Sequence, residues 1–327
     1  MPSPLTIWCN AKLAEPAQQL LVEGVRPHRL VVSTQASVSV LTPGQPDPAL
    51  ALADIAFGQP NVEQSIELPR LRWIEVTSAG FTRYDREDFR EAMGRRGAVF
   101  TNSSSVFAEP CAQHALAMML ALTRQLLPSH RDQLTDQSWH YAERRADSRL
   151  LNGQTVLLLG FGAIGRRLAE LLAPFRMKIY AVRRKTNSEP GIHIISEERL
   201  SSVIAEADHV VNVLPDNPTT LNYVNARRLG WCKRGARFYN VGRGTTVDQN
   251  ALHEALTSGR LGGAYLDVLD PEPLPPSHPM WSAPNCYLTP HTAGGRHDQD
   301  EALVRHFLAN FAVFMRDDDM GWFDRVL

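Results

Sequence analysis

The chain has 327 residues, more than one ordinary domain requires, and 43% of them are hydrophobic, enough for two cores. Its 34 basic and 35 acidic residues nearly cancel, which argues against a nucleic-acid partner and against an acidic coat. The most apolar run, ALAMMLAL at 115–122, is too short to span a bilayer, and the opening MPSPLTIWCN lacks the basic lead and apolar stretch of a signal peptide. The expectation is a cytoplasmic protein with no membrane partner.

In chain order, short apolar runs at 5–8, 29–32, 54–57, 73–76 and 98–100 read as strands, with helical patterns such as 16–22 between some of them. That alternation predicts a parallel α/β sheet. The segment 110–127 reads as one long helix, apolar on most faces, which must be buried in a core or an interface. Residues 129–150 are polar, carry no strand signal, and read as a connecting or partner-contacting segment. From 155 the alternation restarts, with strands expected at 155–159, 178–182, 209–214, 236–241, 263–268 and 286–289. A helix is expected at 251–258 and a last one at 298–315. Cys9, Cys111, Cys232 and Cys286 are far apart and form no CxxC pair. They predict reduced, mostly buried thiols, with neither disulfides nor a metal site.

Residues 155–172, TVLLLGFGAIGRRLAELL, hold G-x-G-x-x-G at Gly160, Gly162 and Gly165, entered by a strand and left by a helix. In a dinucleotide site the first glycine allows the turn, the second lets the backbone approach the pyrophosphate, and the third lets helix and strand pack closely. The amides that open the helix, at Ala163 and Ile164, would then face phosphate. The next strand runs into Arg183, Arg184 and Lys185. An NAD site usually carries an acid there, about twenty residues past the glycines, to bond the ribose 2′-hydroxyl. Guanidinium groups instead suit a 2′-phosphate, so the expectation is NADP(H), with NAD(H) possible. A solvated basic loop is the plain alternative.

Three charged residues follow three later strands: Arg243 in FYNVGRGTTVD, Glu272 in AYLDVLDPEP and His291 in YLTPHTAGG. Ligands of open α/β sheets bind beyond the carboxyl ends of the strands, so the three can converge. Hydride addition to a keto carbon leaves negative charge on oxygen, which needs a proton donor. Histidine suits that task, an adjacent acid favours its charged form, and arginine can hold a carboxylate while polarising the keto group. Singly, each has an ordinary reading as a surface, turn or salt-bridge residue.

Together GFGAIGRRLA, NVGRGTTVD, LDVLDPEPL and LTPHTAGG, in this order, resemble the D-isomer-specific 2-hydroxyacid dehydrogenases. That family includes glyoxylate/hydroxypyruvate reductases, phosphoglycerate dehydrogenase, D-lactate dehydrogenase and formate dehydrogenase. The resemblance implies two Rossmann- or flavodoxin-like doubly wound parallel-sheet domains with a cleft between them. One would be a discontinuous substrate domain of 1–104 plus 291–327. The other would be a dinucleotide domain of 105–290 that includes a dimerisation helix at 110–127. The resemblance implies Arg243, Glu272 and His291 as the catalytic trio and Asp267 against the nicotinamide carboxamide. Leu214, Pro215, Val241 and Gly242 are expected to join the cofactor contacts. Backbone N–H groups of Ser78, Ala79 and Gly80 would hold the substrate carboxylate, and a homodimer is expected. Side-chain specificity would come from 58–61 and 78–81, with Trp139 of a partner subunit as a further candidate.

Two departures from the family pattern stand out. Gln113 replaces a common glutamate, and Arg183 replaces the acid of NAD-specific members, which places the chain nearer NADPH-using glyoxylate/hydroxypyruvate reductases. The leading expectation is reduction of a small 2-keto acid to the D-2-hydroxy acid, with His291 as proton donor. Alternatives are another substrate on the same fold (phosphite, formate or a phosphoglycerate-like acid) and a dinucleotide-sensing, corepressor-like interaction protein. Formate oxidation needs no acid–base pair, so Glu272 and His291 argue against it.

Overall fold

The computed structural model describes residues 4–37, 44–183, 188–316 and 321–327. Two compact units divide the chain, 1–107 with 296–327 and 108–295. The boundaries expected from sequence were at 104 and 290, so His291 sits in the second unit instead of the first.

The first unit is a five-stranded sheet of β1 (Thr6–Ala11), β2 (Arg29–Ser37), β3 (Ile55–Gly58), β4 (Trp73–Val76) and β5 (Val99–Thr101), in the order β2-β1-β3-β4-β5. Every pairing is parallel. Parallel strands buried on both faces read as continuous apolar runs, and β1 does: Ile7, Trp8 and Cys9 are all buried. Successive residues pack on opposite faces. Ile7 and Cys9 join Phe57, Trp73 and the C-terminal helix Gln299–Met315 through Phe307 and Phe311, whereas Trp8 joins Ile74, Phe89 and Phe100. Trp73 and Phe307 stack with ring centroids 4.9 Å apart.

The second unit holds seven parallel strands: β6 (Thr155–Leu159), β7 (Lys178–Val182), β8 (His193–Ile195), β9 (His209–Asn212), β10 (Ala236–Asn240), β11 (Leu261–Leu266) and β12 (Cys286–Leu288). Their order is β12-β11-β10-β9-β6-β7-β8. The chain leaves β6 toward β7 on one side and returns to β9 on the other, so the strand order reverses beside β6, where such sheets bind ligands. Six of these strands were expected; β8 was not, because three residues are too few to carry a periodic signal.

The apolar helix differs from expectation. It runs Ser104–Thr123 with Pro110 inside it. Asn102 accepts from the Ser104 amide and starts it early. It ends before Gln125, whose left-handed φ of 59° breaks the path, and a second helix follows at Leu126–Leu134. A third, Tyr141–Asp147, lies in the segment expected to be a connection. The two are clamped by Arg144, which donates to Asp132 at 2.8 and 2.9 Å. Cys9, Cys111 and Cys232 are buried and Cys286 is half-buried, with burial pushing each thiol up to about 12. Among the described residues no helix is long and apolar enough to cross a membrane.

Candidate active site

All the strands of the second sheet point the same way, so the segments following β6, β7, β9, β10, β11 and β12 lie along one carboxyl edge. At β6, Gly160 takes φ 95°, a conformation that side chains resist, and its amide bonds Val182 O at 3.1 Å. A Cβ on Gly162 would meet nothing within 4 Å, leaving that stretch of backbone open to a ligand. The first bond of helix Ala163–Leu172 runs from Arg166 N to Gly162 O, so the amides of Ala163, Ile164 and Gly165 precede the helical ladder. Free amides and the positive helix end fit a pyrophosphate. Arg183 follows β7 and contacts Glu189; Arg184 and Lys185 lie outside the described residues.

The loops after β9 and β10 are locked together. Asn212 donates to Asn240 at 2.9 Å and to Thr246 at 2.7 Å, and Asn240 and Thr246 in turn donate to Arg243 O. This fixes the Arg243 backbone. Its neighbour Gly244 is irreplaceable on space alone, because a Cβ would lie 2.0 Å from Leu269 O. Val241 is buried, the Gly242 amide donates to Asn240, and the Leu214 backbone runs past Gly242, while Pro215 O accepts from the Thr220 hydroxyl. Arg243 itself donates to Gly242 O at 2.6 Å.

After β11, Asp267 is buried and anchors the next loop. Its Oδ1 accepts from the Thr292 amide at 2.8 Å and from the Thr289 hydroxyl, and its Oδ2 accepts from the Ala293 amide at 2.9 Å. Its carbonyl accepts from the His291 amide at 2.8 Å. These four bonds hold His291 at φ 54°, in the left-handed region where non-glycine residues are uncommon.

Glu272 meets the imidazole: Oε2 lies 2.7 Å from His291 Nδ1, while Oε1 accepts from the Leu269 amide at 2.9 Å. Burial pushes the Glu272 carboxyl up. The bonds from His291 and Leu269, with the Arg243 charge, outweigh burial and hold it below its ordinary value. With Nδ1 bound to a carboxylate, His291 Nε2 has no partner among the described residues. Glu272 and His291 are therefore in contact, and Arg243 is near enough to act on Glu272. Thr289, Asn240 and Thr246 are positioning residues that carried no sequence signal; their roles come from which loops the sheet makes neighbours.

In the first unit, Ser78–Gly80 follow β4. Their carbonyls are taken, Ser78 O by the Ser103 amide, Ala79 O by Asn102 and Gly80 O by the Ser78 hydroxyl. The three amides donate to nothing among the described residues, which fits the expected anion contact. Gln113 donates to Glu109, and Glu109 pairs with Arg167.

Residues 116–293 match the model of the D-isomer specific 2-hydroxyacid dehydrogenase, NAD binding domain. The chain is 33% identical over 279 residues to a Corynebacterium melassecola protein described as an uncharacterized protein in proB 3′region, covering 82% of this chain and 87% of that one. It is 29% identical over 321 residues to the glyoxylate reductase of Korarchaeum cryptofilum, covering 96% and 87%. A D-isomer specific 2-hydroxyacid dehydrogenase of Xanthobacter autotrophicus Py2, solved in complex with NADPH and MES, superimposes with a TM-score of 0.81 at 23% identity over 99% and 98% of the two chains. A family match across more than half the chain, on the unit that carries the glycine loop, makes this protein a member of the D-isomer specific 2-hydroxyacid dehydrogenases, an NAD(P)-dependent oxidoreductase.

Proposed function

We propose that the protein reduces a small 2-keto acid such as glyoxylate or hydroxypyruvate to the D-2-hydroxy acid, with NADPH preferred and NADH accepted. The observation that carries this reading is the Glu272–His291 pair, a carboxylate 2.7 Å from an imidazole whose other nitrogen is open, on the edge that holds the glycine loop. When bound, the cofactor supplies the hydride. Glu272 fixes the ring with Nδ1 toward itself, so Nε2 is the nitrogen that hands its proton to the keto oxygen as charge builds there. Half-exposed His291, 33% accessible, regains the proton from solvent. Arg243 stays charged throughout, grips the substrate carboxylate and opposes the negative charge on the keto oxygen. Ser78, Ala79 and Gly80 have amides free for a carboxylate.

For the cofactor, the amides of Ala163–Gly165 take the pyrophosphate, and Val241, Gly242, Leu214 and Pro215 line its path. Arg183 faces the 2′-phosphate. Asp267 Oδ2 accepts a single bond, leaving room for a carboxamide N–H. The name glyoxylate reductase of the archaeal relative and the NADPH of the Xanthobacter structure support the substrate and cofactor chosen. A homodimer accounts for the exposed Leu126, Leu134, Trp139, Tyr141 and Leu150, all on one 25-residue stretch.

The test is turnover of glyoxylate, hydroxypyruvate, pyruvate and phenylpyruvate with NADPH and NADH in parallel. Faster oxidation of NADPH on the smaller acids is expected. Faster oxidation of NADH would remove the cofactor preference, and no turnover would remove the substrate class.

A further inference from the structure

Where β7 ends, an NAD site carries an acid and this chain carries Arg183. The fold nevertheless brings an acid to that place. Glu189 lies six residues beyond Arg183, in a tight return that bridges to Ile192. Its Oε1 sits 2.6 Å from Arg166 Nη1 and 3.0 Å from Arg183 Nη1. The two guanidinium groups come from different elements. Arg166 stands in the first turn of the glycine-loop helix, 5.1 Å over the Phe161 ring, and Arg183 leaves the end of β7.

One carboxylate oxygen thus serves two cations that flank the dinucleotide turn. Arg183 is 14% and Glu189 21% exposed, so this contact is less screened than an ordinary surface pair. Arg166, and then Arg183, hold the Glu189 carboxyl below its ordinary value, and it is ionised at neutral pH. A phosphate monoester offers three oxygens and about twice the charge, and it satisfies two guanidinium groups better than a single shared oxygen does.

We propose that Glu189 is a resident counter-anion of Arg166 and Arg183 that the 2′-phosphate of NADPH must displace, and that it thereby sets the margin between NADPH and NADH. This rests on the nicotinamide reading above. NADH brings no 2′-phosphate, so Glu189 keeps its place, and the arginines stay neutralised beneath the adenosine ribose. NADPH binds at the cost of breaking the clasp. Removing the carboxylate then tightens NADPH, whereas a clasp that merely ordered the arginines would, once removed, weaken it.

The experiment reads binding, not turnover, so it does not depend on knowing the substrate. NADPH, NADH, 2′,5′-ADP and 5′-ADP are titrated calorimetrically into wild type, Glu189→Gln and Glu189→Ala. Expected is a gain of about threefold to tenfold for NADPH and 2′,5′-ADP in both variants, with NADH and 5′-ADP changed less than about twofold. Unchanged or weaker NADPH binding in the variants would overturn the proposal while leaving the cofactor reading intact. Selective loss of NADH would overturn it too, making Glu189 a reader of the ribose hydroxyl. Wild type that binds neither dinucleotide would sink both readings.

Discussion

His306 in the first unit and His291 in the second both contact carboxylates, yet their settings differ in every other respect. His306 is sealed between Glu75, 3.0 Å from Nδ1, and Asp324, 3.1 Å from Nε2, with the histidine side chain 6% and Glu75 0% exposed. Asn310 and Thr101 donate to the remaining Glu75 oxygen, and the Ser105 amide donates to Asp324. Both ring nitrogens face acceptors, so both carry protons. Burial opposes that charge, but the bonds to Asp324 and Glu75 outweigh it and raise the group to about 9. This cation joins the C-terminal helix to β4 and to the chain end. His291 has a single carboxylate, an open Nε2 and access to solvent. A histidine with both nitrogens committed holds structure together, whereas one with a free nitrogen on a strained loop can pass a proton.

The contrast breaks most sharply at the exposed pair's neighbour. Arg243→Ala is expected to lower kcat/KM by about a hundredfold to a thousandfold, with an unchanged unfolding midpoint, measured by steady-state kinetics beside thermal unfolding. A fall in the midpoint instead would make Arg243 structural. At the sealed pair, His306→Gln leaves Glu75 and Asp324 without their cation and is expected to cost about 3 kcal/mol of unfolding free energy in denaturant titration. The sign with pH follows from the raised value. The stability from His306 is fully present below its ordinary 6.5 and is lost as pH rises through about 9. Wild type should therefore lose roughly 3 kcal/mol more than His306→Gln between pH 6.5 and 10. Parallel curves for the two proteins would show that the buried histidine is uncharged. Glu272→Gln is expected to have the smallest effect, about a tenfold fall in kcat, because the amide keeps a contact to Nδ1 and loses only the charge.

Much of this was legible in the sequence, for identifiable reasons. The strands at 73–76, 155–159 and 178–182 coincide with expectation because buried parallel strands write themselves as unbroken apolar runs. Arg243, Glu272 and His291 could be picked out because each follows a strand, and a parallel sheet sends all strand ends to one edge. The helix start at Ser104 was hidden, since Pro110 reads as a first-turn residue when it is interior. The helices Leu126–Leu134 and Tyr141–Asp147 were hidden by their polarity. Glu189 left no trace, because its partners Arg166 and Arg183 are joined to it only by the fold. Nor did Glu75, which lies 231 residues before His306 and meets it and Asp324 only when the C-terminal helix docks on β4.

The most direct measurement is glyoxylate-dependent oxidation of NADPH by His291→Asn, a residue that tolerates the left-handed backbone found there, run beside His306→Gln at a temperature where both are folded. The expected result is a loss of kcat on the order of a thousandfold in His291→Asn, with its unfolding midpoint unmoved and turnover retained in His306→Gln. Turnover near wild type in His291→Asn would contradict the assignment of the exposed histidine as the proton donor.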